Sequence, residues 1–255
     1  MNLLANLKLN KHIVKISYKK RMRKPSKISY KTYFNEKLKQ VPLGNIMTHP
    51  LYVQLTFERK TLFFKSNFFD LFSKPKYIKT VPGLIENPSL EKIITLEMEI
   101  IEFIEKKHPY NFSLELFKQE YAFYSQDICD IMEEEFRNYL YTFFQGKCMY
   151  VLAVAIREGS RHHINYYIIR EMKKAFTKSF YDELIDNSLY SGLPYFAIYD
   201  FMQHTKKWPM FYLSVFEWET GNTKAEFFEY LKKNYPKHDV GMIKAGVEKW
   251  LSQYS

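Results

Sequence analysis

Residues 51–57 read Leu-Tyr-Val-Gln-Leu-Thr-Phe, and this alternation constrains the fold more than any other feature of the chain. Leu51, Val53, Leu55 and Phe57 share one side of an extended segment, and Tyr52, Gln54 and Thr56 share the other. Glu58-Arg59-Lys60 makes a tight connection, and Thr61 to Lys65 returns, so a hairpin is expected. The turn carries neither Gly nor Asn, which leaves its type open. The apolar face should pack on a helix and leave the polar face free. Ile13 to Tyr18 mixes β-branched and aromatic residues and reads as a further half-buried strand.

The period changes after residues 72–89, where Pro75, Pro82, Gly83 and Pro88 mark a boundary. Asn87-Pro88-Ser89 reads as a helix start with Pro at the first position. Leu90, Ile93, Ile94, Ile101 and Ile104 share a helical face, and Pro109 ends that segment. Ser113 can cap a second helix, and a third runs from Asp127 to Phe144 with Gly146 as its stop. Further helices are expected over 147–157, 161–180, 194–204, 222–234 and 240–253. The fold class is α+β: a small basic N-terminal β-sheet module over 1–80, then a larger mainly α-helical domain over 81–255. No internal repeat or low-complexity segment interrupts this order.

Charge divides the chain at the same place. Residues 1–80 hold 18 Lys and Arg against Glu36, Glu58 and Asp70, a net +15. The other 20 bases and 25 acids give −5. Such asymmetry points to nucleic acid or an anionic surface. Candidate phosphate contacts are Lys19, Lys20, Arg21, Arg23, Lys24, Lys27 and Lys31, with Arg59, Lys60 and Lys65 on or beside the hairpin. Tyr18, Tyr30 and Tyr33 interleave with the basic run. Tyr52, Gln54 and Thr56 are candidates for base contact, Gln54 through a bidentate pair with adenine. A solvated basic arm, an acidic protein partner and a membrane surface are the competing readings of the same charge.

Catalytic chemistry is not legible. Neither a G-x-x-x-x-G-K nor a G-x-G-x-x-G loop occurs. His162-His163 adjoin but point in different directions on a helix, a poor metal chelate. Glu133-Glu134-Glu135 reads as a solvated face. Glu105-x-Lys107 and Glu171-x-Lys173 match two positions of some metal-dependent nuclease motifs, as chance allows in charged helices. Cys129 and Cys148, the two cysteines, read as buried small hydrophobes in a reducing compartment. No cofactor or metal is expected. No h-region with a cleavage site follows Met1 to Leu9, and the apolar run Tyr150 to Ile156 is far short of a span. A cytoplasmic location without membrane contact is expected.

The stretch His49-Pro-Leu-Tyr-Val-Gln-Leu-Thr-Phe-Glu-Arg-Lys-Thr-Leu-Phe-Phe-Lys-Ser66 resembles the arm-type DNA-binding domain of phage-integrase-like tyrosine recombinases, especially those of Bacteroidetes mobile elements. Leu90 to Tyr124, including Phe112-Ser-Leu-Glu-Leu-Phe-Lys118, loosely resembles the start of their helical core-binding domain. The likeness covers roughly the first half of the chain and implies a short three-stranded sheet that binds DNA. Those recombinases also carry separated arginines, a His-x-x-Arg and a tyrosine nucleophile. Here no His is followed by Arg at that spacing, and Tyr254 has no accompanying set. The resemblance therefore implies DNA binding without strand exchange, as by an accessory or regulatory factor of a phage or mobile element. The competing function is a structural or assembly protein, such as a phage virion component, that meets nucleic acid or an acidic partner. A protein partner would engage the helical domain.

Overall fold

The computed structural model describes residues 28–44, 46–74, 88–160, 163–205 and 212–254. It shows the expected α+β order, a small sheet followed by a larger helical region. Three strands, β1 (Ser29–Phe34), β4 (Leu51–Phe57) and β5 (Lys60–Lys65), form an antiparallel sheet in the order β1-β4-β5. A small hairpin of β2 (Val41–Leu43) and β3 (Ile46–Thr48), not expected from sequence, lies between β1 and β4. The expected strand at Ile13 to Tyr18 and the Pro75–Pro82–Gly83 boundary fall outside the described residues.

The alternation of β4 does what its period requires. Leu51, Val53 and Leu55 are fully buried, whereas Tyr52, Gln54 and Thr56 stay partly open. β4 and β5 join through Glu58 and Arg59 alone, because Lys60 already pairs with Phe57. Both turn residues take positive φ, 48° and 65°. That is the turn whose twist matches paired strands, built here from residues that have a Cβ to accommodate.

The sheet's inner face meets α2 (Leu90–Lys107) and α3 (Leu114–Tyr124). Phe64 packs edge-on to Tyr121 at 4.6 Å, and Phe57 does so to Phe112 at 4.8 Å. Tyr30 also faces inward, its hydroxyl donating to Glu102 at 3.0 Å. A short helix, α1 (Asn67–Phe72), missed in the sequence, leaves β5 under a Ser66 cap and buries Phe68, Phe69, Leu71 and Phe72.

Glu97 locks this junction. It is fully buried on α2 and accepts hydrogen bonds from Ser66 and from Tyr121. Ser66 in turn accepts from the Phe69 N–H, and Tyr121 from the Asn67 N–H at 3.1 Å. One carboxylate thus ties the first turn of α1 to both helices beneath the sheet. Burial raises the Glu97 carboxyl to about 7, against the two hydroxyl hydrogen bonds that favour its charged form.

The helical region is organised on α4 (Ile128–Gly146), whose Ile128, Met132, Phe136, Leu140 and Phe144 recur every four residues and are fully buried. Around it lie α5 (Tyr150–Gly159), α6 (Asn165–Met172), α7 (Lys178–Ser191) and α8 (Tyr195–His204). α9 (Val215–Thr220), α10 (Thr223–Asn234) and α11 (Val240–Leu251) complete the described helices. Aromatic rings fill this core, as where Phe136 stacks on Tyr195 at 4.6 Å and Tyr166 on Tyr199 at 4.9 Å.

Five local expectations are corrected. Pro88 lies before the cap, and Ser89 caps α2 through its hydrogen bond from the Lys92 N–H. Gly146 is the last residue of α4, and the chain turns at Cys148, whose φ is 59°. Cys148 is therefore exposed rather than buried, unlike Cys129. The expected helix over 161–180 is split, because Thr177 accepts from the Phe180 N–H and starts α7. Glu133 is buried rather than solvated: it accepts from the Asn165 N–H at 3.0 Å, from the Asn165 side chain at 3.2 Å and from the Tyr195 hydroxyl at 3.1 Å.

Candidate nucleic-acid interface

Directly paired residues of an antiparallel sheet project to the same side. The register therefore sets three rows on the outer face: Ser29–Thr56–Thr61, Lys31–Gln54–Phe63 and Tyr33–Tyr52–Lys65. None of the nine is buried, and Phe63 is 57% exposed in the middle row. The inner face holds the apolar partners of the same strands, so the outer face is rigidly backed.

Within the face, the Tyr33 and Tyr52 rings lie 6.1 Å apart, and the Thr56 and Thr61 hydroxyls are 3.1 Å apart. Lys65 is paired with Asp70 of α1, which fixes one cation at the corner. Lys31 projects from the edge strand with no ion pair among the described residues. Arg59 and Lys60 stand exposed at the hairpin tip.

Of the residues expected to bind, Lys31, Tyr52, Gln54, Thr56 and Lys65 come together on this one face. Arg59 and Lys60 border it. Lys19, Lys20, Arg21, Arg23, Lys24 and Lys27, with Tyr18, lie outside the described residues. Tyr30 faces the helices and does not belong to the surface. Phe63, Thr61 and Ser29 belong to it and were missed. Their signal was the alternation of Thr61, Phe63 and Lys65, hidden because Leu62, Phe63 and Phe64 run together as apolar residues.

Among the described residues, the other sequence candidates have these surroundings. Lys107 bonds Glu120 at 2.7 Å and the Tyr124 hydroxyl at 2.9 Å, away from Glu105. Glu171 pairs with Lys174 on the surface. His163 is exposed, and His162 lies outside the described residues. Among the described residues no group of three His, Cys, Asp or Glu could hold a metal ion, and no helix is long and apolar enough to cross a membrane.

Comparisons with protein-family models, curated proteins and solved structures return no match to the chain.

Proposed function

We propose that this chain is a non-catalytic DNA-binding protein whose outer sheet face enters a groove of duplex DNA. The observation that carries the reading is the middle row, where a cation, an amide and an exposed aromatic ring stand side by side as Lys31, Gln54 and Phe63. Outer strands of a three-stranded sheet are about 10 Å apart, and the major groove is about 12 Å wide. Gln54 can make a bidentate contact with adenine, and Phe63 can lie on a thymine methyl. Because the two residues are opposite partners, they suit the two halves of one A·T pair or of adjacent pairs.

The surrounding charge supports the same reading. Residues 28–74 carry seven Lys and Arg against three acids, and residues 1–27 add nine Lys and Arg and no acid. That density would supply the sequence-independent phosphate term, with the sheet face adding preference. An accessory or regulatory role in a phage or mobile element follows from the resemblance to recombinase arm domains. The test is duplex binding by the whole chain, with Lys31, Gln54 and Phe63 changed to Ala singly and together. Affinity and site preference should fall together with the row.

A second reading, a structural or assembly protein such as a virion component, draws on a different surface. Tyr150, Val151 and Val154 of α5 are 60, 86 and 52% exposed, an apolar strip suited to a protein partner. Cofractionation with assembled particles rather than binding to short duplexes would favour it.

A further inference from the structure

A cleft of about 480 Å³ opens in the helical region, far from the sheet in sequence. Its walls come from the end of α6, one face of α7, the middle of α8 and the segment after α10. The lining is chemically divided. Arg170, Lys173 and Lys237 are its cations, and Asp182, Asp186 and Asp200 its acids, with Tyr181, Phe196 and Tyr235 supplying ring surface.

Several of these groups are already engaged. Asp186 accepts from His238 at 3.1 Å, and Asp200 accepts from the Tyr166 hydroxyl at 2.7 Å and the Tyr235 hydroxyl at 3.3 Å. The Arg170 guanidinium lies over the rings of Tyr167 and Tyr166 at 5.0 and 5.7 Å, which holds it in place. Its nearest carboxylate contact, to Glu171, is 3.5 Å. Lys173, Lys237 and Asp182 form no ion pair among the described residues, although all three border the same cleft. The Lys173 ammonium is 5.9 Å from the Tyr181 ring centre, so its stem reaches across to α7. Burial holds the Asp200 carboxyl above its ordinary value.

Three cations that line one cleft from two segments suit a phosphate. A bare anion would also face three carboxylates, so the ligand must bring donors to its other end. An apolar compound would leave those charges unmet. The volume is that of an ordinary small-molecule site. Carboxylates select an amino-bearing base edge, as they accept from the exocyclic amine of cytosine in DNA recognition.

We propose that this cleft binds a nucleoside monophosphate whose base carries an exocyclic amino group, with Arg170, Lys173 and Lys237 on the phosphate and Asp182 on the amine. The site is separate from the sheet face and stands whether or not that face binds DNA.

Calorimetric titration of the full chain with cytidine monophosphate, uridine monophosphate, cytidine and inorganic phosphate tests it. Cytidine monophosphate should bind at millimolar affinity or better, and each of the other three about tenfold more weakly. Lys173→Ala with Lys237→Ala, both exposed positions, should lower that affinity at least tenfold with the melting temperature retained. Asp182→Asn should narrow the difference between the cytidine and uridine nucleotides. Lys31→Ala with Lys65→Ala, on the sheet, should leave nucleotide binding unchanged. Equal binding of all three anions, loss of binding only in the sheet variant, or no heat at millimolar nucleotide would each overturn the assignment. Each of these outcomes would leave the DNA reading of the sheet intact.

Discussion

Gln54 and Phe63 stand directly opposite each other across β4 and β5, on the outer face of the sheet and at its centre. Opposed residues in an antiparallel pair have Cβ atoms about 5 Å apart. A donor-acceptor amide and an open aromatic ring therefore travel together into whatever the sheet touches. Their separate loss should be non-additive. If both read one A·T pair, Gln54→Ala and Phe63→Ala should each reduce preference for the best site by about 1–3 kcal/mol. The double change should cost less than the sum, and uracil in place of thymine should reproduce Phe63→Ala alone. Competition against random duplex measures all three.

The hairpin tip holds strain that can be relieved. Glu58 and Arg59 both adopt left-handed backbone, which a Cβ disfavours. Glu58→Asn keeps the turn and removes an acid beside Arg59, since Asn tolerates this conformation better. It should stabilise the protein by on the order of 0.5–1 kcal/mol and leave DNA affinity equal or slightly higher. Chemical denaturation beside a binding titration gives both numbers. A loss of stability would contradict the turn geometry.

The β4–β5 hairpin was legible because period two has few interpretations, whereas β1 at Ser29–Phe34 was not expected. The residues of β4 sort themselves by alternation, and their burial follows. Phe63 did not sort, because Leu62, Phe63 and Phe64 leave both faces apolar until the Glu58-Arg59 turn sets the register. Glu133 was hidden for a related reason. Successive helix residues point about 100° apart, so one glutamate of three can face inward while its neighbours stay in water. The split near Thr177 was masked by Ala175 and Phe176, which continue an apolar pattern through the break. The cleft could not be read at all, because its residues run from Arg170 to His238 and only packing of helices joins them.

Glu97 gives the fold a pH dependence of unusual sign. Its carboxyl is raised to about 7 when folded, above the ordinary value of 4.5, so the folded state binds the proton more tightly. Its contribution is fully present below about pH 4.5 and is lost as pH rises through about 7. The full span corresponds to roughly 3 kcal/mol. Glu97→Gln keeps an acceptor for Ser66 and Tyr121 without the charge. It should flatten stability between pH 5 and 8 and match or exceed the parent at the upper end. Urea melts at several pH values decide this, and a parent that gains stability from pH 5 to 7 through this residue would contradict it.

The most direct test of DNA binding by the sheet is the salt dependence of duplex affinity for the whole chain and for the variant with Lys31, Gln54 and Phe63 all changed to Ala. The parent should show a steep salt slope. In the variant that slope should be lower by about 0.9, because Lys31 supplies one phosphate neutralisation, and site preference should be abolished. A variant with the parent's slope and the parent's preference would contradict it and remove the sheet face from the binding surface.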